Sequence, residues 1–107
     1  FAAWRAVLAG RGLVEEGEDP VFETVLAMHR YLVSTPSRVL CAALTDAVGD
    51  RRTQNQPGTV DEYPNWRIPL SGPDGSPLTL EEVYSSDRAA RLAAVMNGFS
   101  VPAIGRR

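Results

Sequence analysis

The stretch RVLCAAL, Arg38–Leu44, constrains the fold more than any other part of the chain. It is nearly all apolar, does not alternate, and lies between Pro36 and Asp46. Such a run predicts a strand buried on both faces, normally central in a parallel sheet with a neighbour on each side. A helix is the alternative, given Ala42 and Ala43, but the shortness of the run and the acid that follows favour a strand. No second convincing strand appears, so the partners of this one are missing and the topology does not close on itself. A helix leading into an apolar strand, then an acid and a polar loop, then another helix, is one unit of an α/β fold.

The flanking segments read as helices. Phe1, Trp4, Val7 and Leu8 recur at helical spacing, and Gly10 and Gly12 can stop the turn. Asp19 reads as an N-cap with Pro20 at the first helical position. Phe22, Val25, Leu26, His29, Leu32 and Val33 then form one broad apolar face, so the spacing predicts a helix over 20–33. Pro36 disfavours helical geometry at Thr35. Thr79 and Glu82 match a capping box opening a helix over 80–97, with a restart at Ser86. Leu92, Val95, Met96 and Phe99 carry its apolar face and Asn97-Gly98 ends it. Residues 100–107 read as a frayed tail.

Residues 51–78 form one long irregular segment rich in Gly, Pro, Asn and Gln, and loops of this length are usually functional or disordered. In α/β barrels, function collects on the loops that follow the carboxyl ends of strands. Asp46 and the segment beyond it have that address.

The region 44–70, LTDAVGDRRTQNQPGTVDEYPNWRIPL, resembles the C-terminal region of bacterial 4-α-glucanotransferases, also called amylomaltases or disproportionating enzymes. The shared pattern is an apolar strand, Asp46, Gly49, then Asn55, Pro57, Gly58, Thr59, Glu62, Pro64, Asn65, Trp66 and Arg67. The resemblance implies that residues 1–107 are one segment, the last strand–helix units of a (β/α)8 barrel, mostly helical in isolation with one buried strand near 38–44. It implies a parent hexosyltransferase that passes pieces of α-1,4-glucans between maltodextrins by a retaining mechanism. That chemistry needs a carboxylate nucleophile and a second carboxylic acid flanking the bond. In the family those acids lie upstream of the region matched here, so the segment alone is expected to be inactive. The loop 51–78 is expected on the substrate side.

Several residues carry two readings. Asn55 can hydrogen-bond a glucose hydroxyl, as the family's loop implies, or satisfy its own turn. Pro57-Gly58 either sets backbone shape alone or, through that shape, brings the backbone near sugar. Trp66 offers an indole face to a pyranose, or pins the loop to the core as loop aromatics commonly do; Tyr63 poses the same question. Asp46 either orients groups at the site or caps the following turn. The substrate-binding set is therefore Asn55, Pro57, Gly58, Trp66 and Asp46. Asp61 and Glu62 are adjacent in a loop and so do not form a catalytic carboxylate pair. Arg67 is expected to hold the loop through ion pairs or carbonyl contacts, and His29 to be a satisfied core histidine.

Composition excludes other classes. The net charge is −2 and the eleven basic residues, all Arg, are scattered, so nucleic acid is not an expected partner. No apolar run approaches the roughly 20 residues that span a bilayer, so no membrane association is expected. Cys41 is the one cysteine; its apolar neighbours predict a buried, inert thiol, and the absence of an internal disulfide fits a cytoplasmic setting. No His or Cys pairs occur at metal-ligand spacing, and no phosphate-cradling Gly motif appears, so neither metal nor cofactor is expected. The helices expose apolar faces that normally pack on a barrel, so the isolated segment is expected to self-associate. A stand-alone carbohydrate-binding or protein-interaction module is the alternative.

Overall fold

The computed structural model describes residues 1–98. Five helices follow in order: α1 (Ala2–Gly10), α2 (Pro20–Val33), α3 (Leu44–Val48), α4 (Leu80–Tyr84) and α5 (Asp87–Met96). The helix starts obey local chemistry. The Asp19 carboxylate accepts from the backbone N–H of Val21 and Phe22, both at 3.1 Å, and Pro20 opens α2 where no N–H is needed. Thr79 and Glu82 close a reciprocal capping box on α4: the Thr79 N–H donates to Glu82 Oε2 at 2.7 Å and the Glu82 N–H to Thr79 Oγ1 at 3.2 Å. Ser86 caps α5 through the Ala89 N–H, so the span 80–97 is two helices, with the restart at Ser86 that the sequence suggested. Asn97 follows α5 and Gly98 takes φ +67°, the left-handed stop expected there. Phe99 and the tail 100–107 lie outside the described residues.

The core is small. Phe22 and Leu26 of α2, Ala47 of α3 and Leu92 of α5 pack together, with Val25, Ala89, Val95 and Met96 around them. Polar contacts fix α5 to the first turn of α2. Arg91 donates to both carboxylate oxygens of Glu23, at 2.7 and 3.0 Å, and Arg88 donates to Asp19. Both guanidiniums also lie over the Phe22 ring, with centroid distances of 4.5 Å for Arg88 and 5.3 Å for Arg91. These contacts join charge pairing to cation–π attraction at one aromatic ring. On the other side, Arg5 of α1 donates to Thr24 at 3.2 Å, and Arg30 donates to the Leu13 carbonyl at 2.9 Å and pairs with Glu15.

Two expectations are corrected. The run 38–44 is not a buried strand: 38–43 has no regular structure, Leu44 opens α3, Val39 is 80% exposed and Cys41 is exposed. A strand's backbone needs a neighbour to hydrogen-bond, and the β pairing among the described residues is a single antiparallel bridge between Ser71 and Pro77. The described residues are therefore helical and irregular, not α/β. Second, Leu32 is exposed, whereas Glu23, Thr24 and Ala27 are buried, so the covered face of α2 is rotated towards α1 and α5. The apolar face of α1 lies outward, as expected of the isolated segment: Phe1, Trp4 and Val7 are exposed and only Leu8 of that set is buried.

Candidate functional site

Between Gly49 and Thr79 the chain makes no helix and no strand, yet its path is held at successive levels. At the neck, Asp50 follows Gly49, which ends α3 in the left-handed region with φ +81°. The Asp50 carboxylate is wholly covered. Its Oδ1 accepts from the Arg52 N–H at 2.9 Å and Arg52 Nε at 3.1 Å; its Oδ2 accepts from Arg52 Nη2 and the Ser71 N–H, both at 3.0 Å. The same Nη2 reaches the Pro69 carbonyl at 2.6 Å and Ser71 Oγ at 2.8 Å. The Arg52 guanidinium first, and the backbone N–H groups of Arg52 and Ser71 with it, holds the Asp50 carboxyl well below the usual carboxylate range.

Farther out, two arms of the loop are tied across. The Trp66 N–H donates to the Gln54 carbonyl at 2.7 Å, the Gln56 N–H donates to Asn65 Oδ1 at 2.6 Å, and the Tyr63 hydroxyl donates to the Thr53 carbonyl. The Asn65 amide nitrogen donates in turn to Thr59 Oγ1 at 2.9 Å, which fixes the tip. Gly58 at the tip has φ +84°, a conformation that suits glycine, in keeping with the shape-setting role expected of Pro57-Gly58. Glu62 accepts from the Val60 N–H at 2.7 Å, which lowers its carboxyl below the ordinary value; it serves the turn and makes no pair with Asp61.

On this frame Trp66 is 74% exposed and stands at φ +60°, the one non-glycine residue with positive φ among those described. The indole does not pin the loop to the core, as loop aromatics commonly do; the backbone of Trp66 does the holding and the ring faces solvent. Asn55 is half-buried, and its carbonyl accepts from Thr53 Oγ1 at 2.7 Å. Asn55, Pro57, Gly58 and Trp66 thus share one hydrogen-bonded loop. Asp46 does not join them. It lies inside the first turn of α3, whose N-cap is Ala43, so it is not the cap of that turn; its Oδ2 faces His29 Nε2 at 3.8 Å. His29 is buried as expected, with Nδ1 2.8 Å from the Val25 carbonyl. Among the described residues no three side chains gather as a metal site, and no helix is long and apolar enough to cross a membrane.

Sequence reasoning missed three residues of this arrangement. Arg52, not Arg67, ties the loop; the Arg67 side chain makes no hydrogen bond or ion pair among the described residues. Asp50 is the buried acid of the neck, and Asn65 is the hub of the tip. The one local signal for Asp50 was its place directly after a helix-ending glycine.

Comparison with known proteins places most of the chain in one family. The family model for 4-alpha-glucanotransferase matches residues 3–74. The 4-alpha-glucanotransferases of Mycobacterium bovis and Mycobacterium tuberculosis are each 63% identical to the chain over 93 residues. The match covers 86% of this chain and 13% of the relatives' length. No solved structure matches significantly. The chain belongs to the 4-alpha-glucanotransferase family.

Proposed function

We propose that this chain serves as part of a 4-α-glucanotransferase and supplies a loop that lines the α-1,4-glucan. The observation that carries the reading is the exposed Trp66 indole on a backbone fixed through the Trp66 N–H to the Gln54 carbonyl. A rigid, solvent-facing aromatic plane suits the apolar face of a pyranose, and little ordering is left to do on binding. Asn55, Pro57 and Gly58 border it on the same loop and supply polar groups and close backbone approach. Asp46, turned towards His29, acts on this reading by fixing the start of the loop and not by touching sugar.

The transfer chemistry is retaining and draws its nucleophile and acid/base from carboxylates outside these residues. Asp50 is unsuited to either role, since its oxygens are already filled by four donors and its carboxyl stays ionised. Glu62 is engaged by its own turn. The chain alone therefore transfers no glucan. Its outward apolar side chains on α1, Phe1, Trp4 and Val7, are covered in the longer polypeptide, and in isolation they draw copies of the chain together.

The test is an NMR titration of the chain with maltoheptaose, with product analysis after incubation with maltotriose. The expected result is resonance shifts confined to residues 54–67, reduced in Trp66→Ala, and no glucose or longer oligomers released. Shifts centred on α1 or α2, or no shift at all, would overturn the loop assignment. Transfer by the chain alone would overturn the division of labour. Size-exclusion chromatography with light scattering checks association, and a clean monomer at high concentration counts against it.

A further inference from the structure

The neck of the loop carries more polar investment than anything in the core, and none of it touches the exposed face. Asp50 lies between the end of α3 and the turn that starts at Ser71, and Arg52 spans from Asp50 to Pro69 and Ser71. Ser71 is itself almost fully buried, and it is fixed to Pro77 by the antiparallel bridge. The same corner abuts the helices: a Cβ placed on Gly49 would lie 2.9 Å from Pro73 Cγ and 3.3 Å from an Arg88 guanidinium nitrogen. Arg88 is held by Asp19 at the start of α2. A continuous set of contacts thus runs from the α2 cap, through Arg88 and Gly49, to the neck.

From the neck outward the loop is tied by the contacts joining 53–56 to 63–66 and by Asn65 to Thr59. An exposed hydrogen-bonded arm of this kind opens readily unless its base is fixed, because each bond competes with water. The Asp50–Arg52–Ser71 unit differs. Its carboxylate is out of solvent, its donors are ionised or backbone groups, and its geometry is forked. A lysine in place of Arg52 carries the charge but cannot reproduce the forked contact of Nε and Nη2 with the two oxygens of Asp50.

We propose that Asp50 and Arg52 are positioning residues for glucan binding: they clamp the two ends of the loop and so hold Trp66 and Asn55 in their binding geometry without touching sugar. This rests on the glucan-lining role proposed above.

The experiment compares the native chain with Asp50→Asn, Arg52→Lys and the core variant Leu92→Val. Three readouts are taken: the helical signal by circular dichroism, amide exchange of residues 54–66, and maltoheptaose affinity by NMR titration. Asp50→Asn is expected to keep the helical signal, exchange faster at the Trp66 amide, and bind maltoheptaose about tenfold more weakly, the equivalent of one lost charge-assisted hydrogen bond. Arg52→Lys is expected to shift the same two readouts in the same direction. Leu92→Val lowers overall stability yet keeps the affinity, which separates positioning from general loosening. Native affinity in Asp50→Asn or in Arg52→Lys would overturn the proposal, as would equal loss in Leu92→Val. Should Asp50→Asn lose its helices, Arg52→Lys decides. A native chain that binds no maltoheptaose would overturn the glucan reading itself, and this one with it; native binding untouched by the clamp variants would overturn this one alone.

Discussion

Trp66 offers a perturbation whose size can be worked from the structure. The residue combines an exposed ring with a left-handed backbone, so two terms act in opposite directions when it is replaced. About a quarter of the residue is covered, since it is 74% exposed. A tryptophan buries up to about 250 Å², so roughly 65 Å² is removed from water here. At ~25 cal/mol per Å² that contributes about 1.6 kcal/mol, an upper bound because the unfolded chain also covers part of the ring. Trp66→Ala loses this contribution and keeps the backbone penalty, because alanine also resists φ near +60°. Trp66→Gly loses the same contribution but relieves about 1–2 kcal/mol of left-handed strain, less roughly 0.5–1 kcal/mol for the freer unfolded chain. The glycine variant is therefore the more stable of the two by about 0.5–1 kcal/mol.

The assay is amide exchange at position 66, whose N–H is bonded to the Gln54 carbonyl and reports opening of the arm directly. After correction for intrinsic rates, Trp66→Gly should be protected about two- to fivefold more than Trp66→Ala. Both variants should lose maltoheptaose binding, since neither has the ring. If glycine is less protected than alanine, the left-handed backbone is not what the loop holds at this position. If either variant melts the helices, the indole is packed after all and the account of an outward-facing platform is wrong.

Leu92→Ala removes a fully covered side chain from the Phe22–Leu26–Ala47 cluster and should cost about 2–4 kcal/mol, read by urea unfolding. The lower end is expected, because Leu92 borders an open apolar groove of about 570 Å³, lined also by Leu44, Val83 and Met96, into which the site can relax. Gly49→Ala is expected to separate α3 from the turn at Pro73, because the site combines φ +81° with a 2.9 Å approach to Pro73 Cγ; faster exchange at the Ser71 amide is the readout. For acid sensitivity the sign follows from depressed folded values. Asp50 is lowered chiefly by Arg52, and Asp19 by the Phe22 N–H and then Arg88. Both contribute stability that is present in full above the unfolded carboxylate range near pH 4 and is lost as pH falls below it. After correction for the intrinsic rate at each pH, loop protection should therefore be flat from about pH 7 to 5 and fall below about 4, and Asp50→Asn should abolish most of that fall.

What the sequence made legible was whatever is decided within a few residues. The Asp19–Pro20 start, the Thr79–Glu82 box, the Ser86 restart and the Asn97-Gly98 stop are local chemistry, and each stands where the pattern puts it. The run 38–44 failed for the opposite reason. Its apolar character measures a demand for burial, but strand pairing is a property of two segments, and no second segment is described here. Val39 at 80% exposure and the outward Cys41 are that demand left unmet. The loop was legible as special but not as built. Its neck joins Asp50 and Arg52 to Ser71 across gaps of 21 and 19 residues, a pairing with no period for a pattern to reveal. Arg67 and Arg52 are chemically alike, and what separates them is that one lies beside a buried carboxylate. For the same reason Asn65, not Asn55, became the turn's own hub: its side chain meets Gln56 on one side and Thr59 on the other.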